Sequence, residues 1–234
     1  MKVLALDTTT RAGSVAIVDE DRIIDERQGD QARTHAERLP AEILAIADAN
    51  QTPLSSVDLF AVASGPGSFT GLRIGIATQQ GFAFAQQRKM VGVPALDALA
   101  HCAARELGAG DYVGAWMDAY RRDVFAALYR VTNAPPFDPD RLVAIDPPTV
   151  DKPAATWARW SNGAVIPAVV IGDGAVLYAE AIAAARILTA PLIAGAVGLL
   201  AVGYARQGRA VHPSAVHPLY VRRPDAEIAR ENAR

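Results

Sequence analysis

The sequence predicts an α/β protein of two related halves, on three observations. Short buried-strand runs alternate with helical patterns. A strand–strand–strand–helix–strand–helix order is clear once and recurs in degraded form, and glycines at 108 and 110 separate the two passes. The halves are expected at residues 1–108 and 109–224, with a polar tail at 225–234 expected to be mobile. The repeat rests on element order, since the two passes share no visible sequence similarity.

Residues 3–6 form a short apolar run closed by Asp7, which predicts a buried strand. Residues 13–18 follow a threonine-rich turn and residues 22–27 an Asp-Glu-Asp turn, so the three runs predict a meander. Thr34 and Glu37 have the spacing of a capping box, and Leu39, Ile43, Leu44 and Ala47 recur at helical spacing towards Asn50. Pro40 falls early in that helix, where it kinks it or shifts its start. After a turn at 53–56, residues 59–63 predict a second buried strand. The run GPGSFTG at 65–71 then leads into a helix ending near Gln87. A strand at 91–93 and a helix from Pro94 through Leu107 complete the half.

In the second pass, residues 112–117 and 124–131 predict paired strands, while Pro135, Pro136, Pro139, Pro147 and Pro148 predict loop. A short helix over 153–160, a strand over 168–171 and a helix from Gly172-Asp173-Gly174 to near Ala185 follow. The longest apolar stretch, 187–204, is interrupted by Pro191 and three glycines, so it predicts a buried last helix over 192–206 and no membrane span. The N-terminal apolar run is too short for a signal peptide.

Composition narrows the function classes. Of the 234 residues 51% are apolar, enough for a sizeable core, and the many Ala and Val residues favour small, closely packed elements. A net charge of −2 with mixed signs argues against a dedicated nucleic-acid-binding domain but leaves room for local RNA contact. The single cysteine, Cys102, fits a reducing compartment, and its apolar helical setting reads as core. No Gly-x-Ser-x-Gly elbow is present, and His35, His101, His212 and His217 form no His-Glu-x-x-His pair, so neither a nucleophile nor a metal site is expected.

Two segments offer chemistry. Asp7, Thr8, Thr9 and Thr10 close the first strand, where ligands bind in open α/β sheets, and the same residues suit an Asx-type turn. Gly65 and Gly67, with Pro66 between them, allow unusual torsions, and Ser68 or Thr70 caps the next helix. The free amides there suit a phosphate or carboxylate, and the glycines equally suit a tight strand-to-helix connection. No Gly-Lys-Ser or Gly-Lys-Thr follows, so the loop is not a P-loop. Asp7, Thr8, Thr9, Gly65, Gly67 and Ser68 therefore stand as a candidate vestigial phosphate-binding set.

The second helix is apolar on nearly all sides. Gly71 and Gly75 lie one turn apart, Ala77, Gly81 and Ala85 form another small-residue row, and Ile74, Ile76, Phe82 and Phe84 add bulk. One face packs on its own sheet, and the second suggests a partner.

These residues carry a resemblance. LALDTTT at 4–10, HAERLP at 35–40 and GPGSFTGLRIG at 65–75 resemble the bacterial TsaB (YeaZ) family, with support in order from GVPALDALA at 92–100, DAYRR at 118–122 and YVR at 220–222. The chain departs from the family at 118–122, where Tyr120 stands inserted between Ala119 and Arg121. The resemblance implies an actin-like/sugar-kinase/Hsp70-like (ASKHA) fold of two duplicated halves. It also implies a non-catalytic, cytoplasmic partner of threonylcarbamoyl transfer to the adenosine beside the anticodon in tRNA. The implied partners are a catalytic threonylcarbamoyltransferase paralogue and a small P-loop ATPase, with tRNA reached through the complex and a homodimer when the chain is alone. The resemblance further implies no cofactor requirement for this chain, with room for a nucleotide in the assembled complex. The implied docking helices place His35, Leu39, Ile43, Gly71, Leu72, Gly75, Ile76, Gln79 and Phe82 at the partner interface. The competing reading is an ATP-dependent kinase or carbamoyltransferase acting in the cleft between the halves. A peptidase is opposed by the absent metal motif and the ordinary Ser and Cys contexts.

Overall fold

The computed structural model describes residues 1–163 and 165–222, so the expected tail at 225–234 lies outside the described residues. Strands β1 (Lys2–Asp7), β2 (Ser14–Asp19) and β3 (Arg22–Gln28) form the expected meander. They are followed by α1 (His35–Ala49), β4 (Leu59–Gly65), α2 (Phe69–Ala85), β5 (Lys89–Pro94) and α3 (Ala95–Ala104). The second pass repeats the series: β6 (Tyr112–Asp118), β7 (Val124–Val131), β8 (Leu142–Asp151), α4 (Pro153–Asn162), β9 (Val169–Ile171), α5 (Asp173–Leu177), β10 (Arg186–Leu188) and α6 (Ala194–Arg206). The sheets run β3-β2-β1-β4-β5 and β8-β7-β6-β9-β10, one strand order used twice. In each, the central strand is antiparallel to the second and parallel to the fourth.

Local chemistry sets several boundaries. The Glu37 carboxylate accepts hydrogen bonds from the Thr34 amide at 2.8 Å and hydroxyl at 2.7 Å, fixing the start of α1. Ser68 Oγ accepts from the Gly71 amide at 3.2 Å and caps α2. β4 is buried along its whole length, as a central strand covered on both faces requires.

Two expectations are corrected in the second half. The proline-rich stretch contains strand β8, because β8 is an edge strand and Pro147 and Pro148 sit at a bulge opposite Ala127, where no ladder hydrogen bond is asked of them. The helix expected to reach Ala185 ends at Leu177, and β10 follows it. The inserted Tyr120 is accommodated by a left-handed turn, with φ of 56°, 57° and 61° at Tyr120, Arg121 and Arg122. Such torsions cost roughly 1–2 kcal/mol per residue.

Helices α3 and α6 lie between the sheets: α3 packs against β6 and α6 against β1 and β2. Their small residues permit this. A side chain at Gly198 would overlap Val18, and one at Gly195 would overlap Ile23. Val3, Ala5, Leu96, Leu99, Ala115, Val197 and Leu200 consequently join one core that spans both halves. Helices α1 and α2 cover the other face of the first sheet, over Leu4, Leu6, Phe60 and Val62.

Arg141 ties the end of α3 to the β7–β8 connection. Its buried guanidinium donates to the carbonyls of Thr132 (2.6 Å), Ala134 (2.9 Å), Ala104 (3.1 Å) and Leu107 (2.6 Å). Arg141→Met leaves these acceptors without their donor and is expected to lower unfolding free energy by about 3 kcal/mol. Urea denaturation measures this, and an unchanged midpoint would contradict the clamp.

Candidate functional site: the cleft and the α1–α2 face

Asp7 ends β1 and is only 4% exposed. Its Oδ1 accepts from the Thr9 amide at 2.8 Å and the Thr9 hydroxyl at 2.7 Å, so the Asx-type turn is present. Asp173, opening α5, lines the same cleft of about 310 Å³, together with Thr10, Arg11, Gly13 and Leu192. Asp173 Oδ1 accepts from the amides of Gly174 (2.8 Å) and Asp118 (3.0 Å). Burial raises both carboxyls above their ordinary value, and the facing Asp173 charge adds to the rise at Asp7.

The glycine loop does not open into this cleft. Gly67 packs on Thr9, Gly71 on the Thr8 carbonyl and Gly75 on the Thr8 side chain, each closely enough that a Cβ would overlap. The Ser68 amide donates to the Thr9 carbonyl at 2.8 Å. Gly65, with φ 116°, lies against the Leu219 carbonyl. Thr8 is fully buried and its Oγ1 has no hydrogen-bond partner. Of the candidate phosphate set, Asp7 and Thr9 line the cleft, while Gly67 and Ser68 line a separate groove beside Phe69 and Tyr120.

The expected interface residues divide by face. Leu39, Ile43, Gly71, Leu72, Gly75, Ile76 and Gln79 are buried within the chain. They form the inner rows of two helices lying over one sheet. Gln79 is tied to the sheet itself, donating to the carbonyls of Leu4 (2.7 Å) and Ala61 (2.9 Å). His35 and Phe82 are half-buried. The outward surface consists instead of Leu44, Ala77, Gly81, Phe84 and Ala85; Phe84 is 69% exposed and Gly81 faces open space.

The sequence reading also missed Arg38. Fully buried, it pairs with Glu42 and donates to the carbonyls of Arg11 and Ala12, which wall the cleft. His35 Nε2 lies 3.0 Å from the Thr10 carbonyl and Nδ1 2.8 Å from the Arg38 guanidinium. Burial, with the Arg38 charge, lowers the His35 pKa, so a neutral ring donates to Thr10 and accepts from Arg38. The signal was available in a basic residue set among the inward positions of an amphipathic helix.

Other candidate groups are inert. Burial pushes the Cys102 thiol up to about 12 and the His101 imidazole down to about 4. Among the described residues no three His, Cys, Asp or Glu side chains are grouped as metal ligands, and no helix is long and apolar enough to cross a membrane.

Two sheets of one strand order, joined through buried helices and sharing a cleft, define the actin-like class that includes the sugar kinases and Hsp70-type proteins. Within that class the chain belongs to the TsaB/YeaZ family. Residues 24–143 match the family described as TsaD, tRNA N6-adenosine threonylcarbamoyltransferase. The tRNA threonylcarbamoyladenosine biosynthesis protein TsaB of Escherichia coli K12 is 36% identical over 130 residues, 56% of this chain and 55% of that protein. This match therefore spans about half the length of that relative. An uncharacterized Mycobacterium tuberculosis protein, Rv3421c, is 33% identical over 232 residues, covering 96% of this chain and 93% of its own. The structure of YeaZ from Pseudomonas aeruginosa superposes with a TM-score of 0.76 at 32% identity, over 94% of this chain and 99% of that one.

Two outcomes follow from the geometry. Gly75→Leu is expected to unfold the chain or lower its melting temperature sharply, and Gly81→Leu to leave it nearly unchanged; equal melting curves would refute the division of faces. Asp7 sets a pH dependence. Its raised folded value means the protonated form favours folding, a contribution present below the ordinary 3.8 and lost as pH rises through the raised value. Asp7→Asn is expected to flatten this loss, so the urea midpoint of the parent falls relative to the variant from about pH 4 to 7. Parallel midpoints across that range would contradict the assignment.

Proposed function

We propose that this chain is a non-catalytic subunit that supports threonylcarbamoyl transfer to the adenosine beside the anticodon of tRNA, by holding a catalytic paralogue in working form. The TsaB relatives are named for threonylcarbamoyladenosine biosynthesis, and the family matched over 24–143 is the transferase; both support a place in that pathway.

The observation that carries the non-catalytic reading is the packing of the glycine loop on Thr8 and Thr9. The amide and glycine positions that would cradle a phosphate are filled by the chain itself. The second half offers only the five residues of α5 where the first half has α2. A kinase or carbamoyltransferase working in the cleft would need a phosphate loop in both halves, so the arrangement disfavours that alternative.

The docking surface is the outward face of α1 and α2, and its occupant is the catalytic paralogue. That protein's family matches this chain through α1 and α2, so it would present an equivalent pair of helices. The exposed row Ala77, Gly81 and Ala85 lets a helix approach closely, and Phe84 supplies an apolar anchor. Without that partner, the face pairs with its own copy to give a homodimer. The small P-loop ATPase joins the complex and brings the nucleotide; this chain requires no cofactor, reaches tRNA through the complex and works in the cytoplasm.

The test is a tRNA modification assay with the paralogue, the ATPase and threonylcarbamoyl-adenylate, run with and without this chain. Product only in its presence, and none from the chain alone, is expected. Modification by the chain alone, or a reaction indifferent to it, would overturn the reading. In pull-downs Gly81→Leu is expected to weaken docking by roughly tenfold or more, and Asp7→Ala to leave it near normal. The reverse pattern would move the interface to the cleft.

A further inference from the structure

Two stretches that carry the family resemblance, 92–100 and 220–222, are brought together by the fold, beyond the contacts that Leu99 makes at the cleft and Tyr220 makes with Phe69 and Arg73 of α2. Pro94 and Asp97 from the first meet Tyr220 and Val221 from the second at a pocket of about 550 Å³ between the halves. Its polar side is built from three elements: Asp97 and His101 on α3, Tyr129 on β7 and Tyr204 on α6. Tyr129 and Tyr204 are 3% and 5% exposed.

Asp97 is a half-buried carboxylate that has no ion-pair partner among the described residues. Tyr129 donates its hydroxyl to Oδ1 at 2.6 Å. Among the described residues, Oδ2 accepts no hydrogen bond and no cation forms an ion pair with the carboxylate. The nearest cation, Arg209, lies over the Tyr204 ring, 3.8 Å from its centroid, and its charge acts on Asp97 through space without forming an ion pair. His101, neutral at physiological pH, adds no positive charge. Burial raises the Asp97 carboxyl above its ordinary value despite the Tyr129 bond and the Arg209 charge. The remaining walls, among them Pro94, Pro139, Pro148 and Leu142, are apolar.

We propose that this pocket binds an organic cation, a guanidinium or ammonium head on an apolar stem, with Asp97 as its counter-ion and Tyr129 and Tyr204 beside the head. A cation supplies the ion pair that this half-buried carboxylate lacks, and an aromatic wall favours it over a neutral group. The apolar walls accept a stem and distinguish such a ligand from a hydrated metal ion. This inference stands apart from the subunit role.

Butylguanidinium and its neutral isostere butylurea test it on the full chain, by calorimetry and by the carboxyl carbon resonance of Asp97. Butylguanidinium is expected to bind saturably, at least about tenfold more tightly than butylurea, moving the Asp97 resonance and lowering its titration midpoint. Asp97→Asn keeps an acceptor for the Tyr129 hydroxyl and is expected to remove the preference. If that variant fails to fold, the wild-type comparison and the resonance still decide. Equal binding of the two compounds, no saturation, or saturation without movement of Asp97 would overturn the proposal. Agmatine and a blocked arginine then separate the sources: tighter agmatine binding identifies a free small amine, and tighter blocked-arginine binding a side chain carried by a protein.

Discussion

The seating of α2 on Thr8 sets the geometry of the first half. Gly71 and Gly75 expose bare backbone to the carbonyl and side chain of Thr8, and Gly67 does the same to Thr9. The helix therefore sits closer to the end of β1 than any side chain would allow. That approach places the Gln79 amide between the Leu4 and Ala61 carbonyls, which locks α2 across the two central strands of the sheet. With the inner row fixed, the helical period turns Ala77, Gly81 and Ala85 outward. A contact between a turn and a glycine row thus decides both what the loop packs against and what the helix presents to solvent.

The halves are joined by a different use of small residues. Alanines along α3 and α6 and glycines along α6 let both helices sit between the sheets, so the small residues of these two helices belong to one continuous core. The cleft left beside that core carries two acids of raised pKa, Asp7 and Asp173. Arg38 and His35 connect its wall to α1, because both bind backbone carbonyls of residues 10–12. Any shift of α1 would be felt at the turn that closes on Asp7. The HAERLP segment is thus a strut between helix and cleft, with Leu39 in the core and His35 and Arg38 on the turn.

Legibility in the sequence followed the range of the interactions. The Thr34–Glu37 box, the Ser68 cap and the buried strands depend on neighbours within a few residues, and each was readable. The doubled fold was readable from element order. The edge strand β8 was hidden because Pro147 and Pro148 break the local pattern, and only its pairing with β7 shows that they occupy a bulge. The three-residue β10 carries too short a pattern to detect. The facing of α2 was hidden for a related reason: a helix apolar all round has no phase in its own sequence. Its phase comes from Thr8, more than sixty residues away in the chain. Asp97 went unnoticed because its partner, Tyr129, lies in the other half.

The outward row of α2 bears on why such a helix exists. Gly81 lies in the interior of a 17-residue helix, touches nothing, and has no positive φ to justify it. In that setting glycine destabilises a helix by roughly 0.8–1 kcal/mol relative to alanine. Phe84 beside it leaves most of its ring in water, where its apolar surface gains little from folding. Neither residue helps the isolated chain, and one weakens it. Both become favourable when a second helix crosses at Gly81, since close backbone approach needs the missing side chain and the ring then leaves water. The inner glycines are explained by Thr8; the outer one has no such contact among the described residues, and the proposed docking helix would give it one.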